Sequence, residues 1–245
     1  QMDAACGAAY PDLRGEWRHV LERLDRQPVR VSRHAPGGKD GDTVVEIRRG
    51  PFAEAFRNLL ATTSGQKQVP FLVHRAAAGD FAPFVAMLPR DSTLFAVGLY
   101  LSVTCAEGTA RIRPADVPRL TAGTFLGDYR VRRQQAACAE WPAPAVPADF
   151  FLPPSSDVPV LVVSGTMDYV TPPLFAQQLC GSLTNCRLLS VPSLGHGPFD
   201  LDRWQGGGCL DRVVNAFYAQ PQPATLDASC IERMRPPEFT MPSAP

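Results

Sequence analysis

The chain has 245 residues, 45% of them hydrophobic and 20% charged, with 24 basic residues against 24 acidic ones. That composition suits a globular body able to bury a core, and zero formal charge argues against nucleic acid or an anionic membrane as partner. No apolar run approaches the roughly 18 residues of a membrane-spanning helix, and the opening QMDAACGAAYPD lacks the basic and apolar regions of a secretory leader.

Between Ala8 and Gln27, Leu13, Trp17, Val20, Leu21 and Leu24 recur at helical spacing with Arg and Glu between them. PVRVSRH and DTVVEIRR then alternate as two short strands around APGGKDGD, whose Gly and Asp content reads as a hairpin loop. PFAEAFRNLLATT returns to helix with Pro51 at its start, and VPFLVHRAAAGDFAPFVAML reads as two helices interrupted at Ala78 to Asp80. VPRLTAGTFLGDYRVRRQQAACAEW reads mostly as one further helix. A Pro-rich joint, Trp141 to Asp157, follows it, and no internal repeat is evident.

Beyond the joint the pattern changes. Pro159 to Ser164 is mostly apolar, rich in β-branched residues and too short for a helix, which suits a parallel strand covered on both faces. Gly165 ends it, so Asp168 falls in the turn beyond the carboxyl end of the strand, where open α/β sheets place catalytic groups. Thr171 is positioned to cap a helix that tolerates Pro172 and Pro173 and continues as LFAQQLC, after which RLLSV forms the next strand. His196 then follows between Gly195 and Gly197. Taken singly, Asp168 would cap a turn and His196 would be a surface histidine. Placed after successive strands, they read as an acid–histidine relay in which the carboxylate accepts the imidazole Nδ1 proton and Nε2 takes one from a nucleophile. No G-x-S-x-G elbow accompanies them: Ser64 in TTSGQ and Ser164 in VVSGT both lack the strand–turn–helix context of a nucleophile.

G-x-x-D-x-x-T-P, the later G-H-G, CLDRVVNAFY and LDASCIERMRPPEF together resemble the C-terminal half of the tripeptidyl-aminopeptidase-like serine hydrolases, relatives of the proline iminopeptidases, over about Met2 to Phe239. The resemblance implies an α/β chain, the C-terminal part of an α/β-hydrolase fold with a mainly helical lid. Residues 1–141 would be the lid region with its hairpin, and residues 142–245 the C-terminal part of the core carrying the acid and the histidine. Asp168 and His196 carry over as triad members. The serine would lie in an N-terminal half outside this sequence, whose Gln1 suits a processed, excised or truncated chain.

Seven cysteines without C-x-x-C point to an oxidising, secreted or periplasmic setting, and the four histidines show no zinc-ligand spacing. The resemblance and chain layout pair Cys105 with Cys138 and Cys209 with Cys230; Cys180 with Cys186 would close the loop before the second strand. Cys6 is left for a thiol of the missing half. In the related aminopeptidases lid carboxylates bind the substrate α-amine, which makes Glu107 the leading candidate here and Asp128 and Glu140 lesser ones. Trp141, Phe150 and Phe151 would wall an apolar pocket or pack the lid onto the core. The expected activity is aminopeptidase release of short N-terminal peptides through an acyl-enzyme, with no cofactor and with this chain inactive alone. An esterase of the same fold and a non-catalytic hydrolase-like subunit are the alternatives.

Overall fold

The computed structural model describes residues 3–33, 43–89, 96–197 and 208–242, and these cluster into two units. The first comprises Gln1–Arg18, Phe56–Gly79 and Pro153–Pro245, the second His19–Ala55 and Asp80–Leu152. Within the first unit, long-range hydrogen bonds draw early residues to the C-terminal ones. Tyr10 Oη donates to the Thr240 carbonyl at 2.6 Å, and Thr240 N–H donates to the Lys67 carbonyl at 3.0 Å.

Helices α1 (Ala4–Ala9) and α2 (Leu13–Arg26) open the chain, and the apolar stripe of α2 buries Val20, Leu21 and Leu24 as its spacing predicts. Strands β1 (Val29–Arg33) and β2 (Thr43–Ile47) pair antiparallel, with Val31 opposite Val45. The loop expected between them lies outside the described residues. Helices α3 (Arg49–Leu59), α4 (Thr63–Gln66), α5 (Val69–Ala77) and α6 (Ala82–Met87) follow, the last two separated where Ala78 to Asp80 interrupt the pattern.

In the second unit Phe52 packs against Phe81 and Phe84 at ring-centroid distances of 5.9 and 4.7 Å. Helix α7 (Val97–Val103) passes into a π-turn, Thr104–Gly108, and Cys105 is bonded to Cys138 on α9 (Tyr129–Glu140). The single helix read across residues 117–141 is instead two, α8 (Val117–Thr121) and α9. Gly123 (φ 73°) and Gly127 (φ 52°) supply left-handed turns that no continuous helix accommodates.

In the first unit β3 (Val160–Gly165) and β4 (Cys186–Val191) pair in parallel, connected through α10 (Pro173–Ser182), and Gly165 stands opposite Val191 at their carboxyl ends. Helix α11 (Cys209–Ala219) and the Ser229–Arg233 turn, joined by Cys209–Cys230, close a core with Leu189, Val191, Leu194, Leu210, Val213 and Ile231. Val160 to Val163 are half-buried rather than covered on both faces, since β4 is the one strand paired with β3 among the described residues. Cys180–Cys186 ties α10 to the start of β4. No helix among the described residues is long and apolar enough to cross a membrane.

Candidate active site

Because Gly165 and Val191 are in register, the segments after β3 and β4 leave the pair at one level and can be stitched together. Thr166 N–H donates to the Val191 carbonyl at 3.0 Å, Met167 N–H to the Leu194 carbonyl at 2.9 Å, and Ser193 N–H to Thr166 Oγ1 at 2.8 Å. The approach is close enough that a Cβ on Gly165 would overlap the carbonyl oxygens of Leu194 and Gly195, which is why this strand ends in glycine.

The first loop delivers Asp168, 8% exposed. Its Oδ1 accepts the backbone N–H groups of Val170 (2.7 Å) and Thr171 (3.0 Å), and its Oδ2 accepts the Thr171 hydroxyl at 2.7 Å. The second loop delivers His196, whose Nδ1 lies 2.9 Å from Asp168 Oδ2. Burial pushes the Asp168 carboxyl up, but the Thr171 N–H, the His196 ring, the Thr171 hydroxyl and the Val170 N–H together outweigh it and hold the group below its ordinary value. The carboxylate is thus an ionised acceptor presented to one ring nitrogen. The His196 side chain is 46% exposed, and its Nε2 has no hydrogen-bond partner among the described residues.

A third segment, absent from the sequence reading, fixes the histidine loop from below. His196 N–H donates to the Ala61 carbonyl, and Gly195 N–H donates to Thr63 Oγ1 at 3.0 Å. Tyr169, next to the acid, donates its hydroxyl to the Arg57 carbonyl, with the Arg57 guanidinium 4.9 Å from its ring centroid. These contacts join residues more than a hundred positions apart, so no local pattern announces them. Thr171 does not cap α10. Pro172 is the N-cap residue of α10 and makes no side-chain cap, while the Thr171 hydroxyl that was expected to cap the helix is bonded to the acid.

Neither serine weighed as a nucleophile stands on an elbow. Ser64 lies within the four-residue α4, its Oγ donating to Thr62 Oγ1 at 3.2 Å, and Ser164 is buried within β3 opposite Ser190. In the second unit Glu107 is half-buried in the π-turn beside the Cys105–Cys138 bridge and makes no ion pair among the described residues. Asp128 is paired with Arg132 at 2.9 Å, and Glu140 is exposed. Trp141 Nε1–H donates to Ser102 Oγ at 3.2 Å. Phe150 and Phe151 are 52% and 40% exposed, stacked edge to face, with Arg111 3.8 Å from the Phe151 centroid. Cys6 stands outside the three disulfides; burial and then the Asp3 carboxylate push its thiol up. Among the described residues no cluster of three or more His, Cys, Asp or Glu side chains could hold a metal ion.

Residues 123–230 match a family model described as TAP-like protein, an α/β-hydrolase family, and the matched segment contains both Asp168 and His196. No curated protein matches the chain.

Proposed function

We propose that Asp168 and His196 are the acid and base of a serine hydrolase of the tripeptidyl-aminopeptidase-like α/β-hydrolase family, whose model matches residues 123–230 and takes in both of them. The observation that carries the reading is the 2.9 Å contact between His196 Nδ1 and the buried, four-donor carboxylate of Asp168. Such a carboxylate orients the ring, stabilises the imidazolium that forms on proton abstraction, and leaves Nε2 to serve the nucleophile. In this reading the serine comes from polypeptide outside these 245 residues, because no G-x-S-x-G occurs within them. The half-buried strand β3 and the exposed Leu174 and Phe175 of α10 are where that polypeptide would pack. Cys6 would be the thiol offered to it.

We assign peptide α-amine recognition to Glu107, a half-buried carboxylate that makes no ion pair among the described residues, within a mainly helical lid. The substrate class is then a peptide with a free N-terminus, cleaved through an acyl-enzyme. Three intrachain disulfides suit an oxidising, secreted setting.

The test combines this chain with a polypeptide bearing the family's serine elbow. Hydrolysis of a tripeptidyl chromogenic amide, blocked by a fluorophosphonate, is expected of the mixture and not of this chain alone. Turnover of simple esters without the amide would favour an esterase. Absence of fluorophosphonate labelling in protein purified with its natural partners would favour a non-catalytic subunit. Inhibitor-sensitive turnover by the 245-residue chain by itself would return the nucleophile to a serine within it, Ser64 or Ser164 first.

A further inference from the structure

We propose that Thr171 is a positioning residue that sets the tautomer of His196; this rests on the Asp168–His196 reading above. A threonine hydroxyl has one proton to donate and lone pairs with which to accept. Here the proton has a defined destination, Asp168 Oδ2 at 2.7 Å, because an ionised carboxylate only accepts. With the proton committed there, Thr171 Oγ1 turns a lone pair toward its other polar neighbour, His196 Nδ1 at 3.3 Å. Asp168 Oδ2 faces the same nitrogen at 2.9 Å.

Nδ1 therefore meets two oxygens that can only accept, and a neutral imidazole satisfies both only by carrying its proton on Nδ1. That leaves Nε2 bare, the form able to take a proton from a nucleophile. Thr171 acts a second time through its backbone, whose N–H donates to Asp168 Oδ1 at 3.0 Å. One residue thus holds both carboxylate oxygens and fixes the plane in which Oδ2 addresses the ring. The helix that follows makes no use of the hydroxyl, since its N-cap residue is Pro172.

The experiment is nitrogen NMR of the full chain with labelled histidine, at a pH where the ring is neutral, with the His196→Asn spectrum identifying the resonances. The wild-type ring should be protonated at Nδ1. Thr171→Val keeps the shape and removes the hydroxyl, and should raise the ratio of the Nε2-protonated to the Nδ1-protonated form roughly five-fold, the weight of one modest hydrogen bond. Thr171→Ser keeps the hydroxyl and should restore the wild-type ratio. If Thr171→Val does not fold, Thr171→Ala reads the same loss. A wild-type ratio in the hydroxyl-free variant overturns the proposal, as does an equal shift in Thr171→Ser, which would assign the effect to methyl packing. A wild-type ring already protonated at Nε2 and unmoved by Asp168→Asn would overturn the acid–histidine reading itself, and this inference with it.

Discussion

Asp168 and His196 follow paired strands and end in contact, yet the two loops hold them in opposite ways. The acid is gripped by its side chain: 8% exposed, four donors on two oxygens, two of them from Thr171. The histidine is gripped by its backbone, through the Ala61 carbonyl, while Gly195 beside it is anchored to Thr63 and its own ring is nearly half open. A group that must stay charged through a reaction benefits from fixed donors that need no rearrangement. A group that must gain and lose a proton needs an accessible nitrogen and a stationary main chain. On the proposed acid–base roles, that difference would account for an acid turn compact within one loop and a histidine loop held by a distant segment.

The largest effect expected from breaking that division of labour is catalytic. If the proposed complementation yields an active enzyme, Asp168→Asn should lower its kcat by about 10⁴-fold by favouring the wrong tautomer, and His196→Ala should cost at least as much. Steady-state rates on the tripeptidyl amide provide the measurement. An Asp168→Asn enzyme within ten-fold of wild type would mean that His196 is oriented by its backbone anchors alone.

Next in size are the covalent supports of the two loops. Cys209–Cys230 closes a separation of 21 residues beneath the β4 core, while Cys180–Cys186 closes 6 at the far end of β4. Chain-entropy arguments give about 3 kcal/mol for the longer loop and about 2 kcal/mol for the shorter. Denaturant unfolding of the Cys209→Ala/Cys230→Ala and Cys180→Ala/Cys186→Ala chains should reproduce that order, and the reverse order would show that strain or residual structure outweighs loop length.

Gly195→Ala tests the backbone grip directly. The added Cβ would stand 2.5 Å from the Ala61 carbonyl oxygen, a clash with a main-chain atom that no side-chain rotation relieves. A loss of about 1–3 kcal/mol is expected from such overpacking, with the His196 ring displaced from Asp168 in the same variant. Wild-type stability together with an intact Nδ1 contact would mean that the segment at 61–66 is not what fixes the loop.

These anchors also mark where the sequence stops being informative. The placement of Asp168 was legible because it follows a short β-branched run closed by Gly165, and that of His196 because it comes between two glycines shortly after the next short strand, RLLSV, both tied to the carboxyl edge of a parallel sheet. The π-turn at Thr104–Gly108 and the break at Gly123 and Gly127 were not, since a glycine inside a helical pattern is tolerated as often as it ends one. Thr171 misled for a related reason: a threonine before proline at a helix start offers its hydroxyl equally well forward to the helix or back to an aspartate three residues earlier. The preference is decided by a carboxylate already crowded with donors, a tertiary circumstance. The pairing of residues 61–63 with 195–196 left no trace in the sequence, because carbonyl and N–H groups are the same at every position.

The smallest expected effect is on the pH dependence of stability, and it isolates the acid's side of the comparison. An unfolded aspartate titrates near pH 3.9, whereas folded Asp168 lies below its ordinary value, its donors outweighing burial. The unfolded state therefore binds more protons as the pH falls, so the contribution of Asp168 is fully present above the unfolded value and is lost as the pH drops through the folded one. Glu46, held low by hydrogen bonds from Arg30 and Arg48, and Asp227, held low by the Ser229 N–H, behave in the same direction. Both are unchanged in an Asp168→Asn chain, so their effects cancel in a comparison with wild type. The stability difference between the two chains should shrink below about pH 4, where the folded Asp168 carboxylate takes up its proton. Urea unfolding at a series of pH values measures it, and a difference that stays flat or widens toward acid would mean that the Asp168 carboxylate is not held ionised by its four donors.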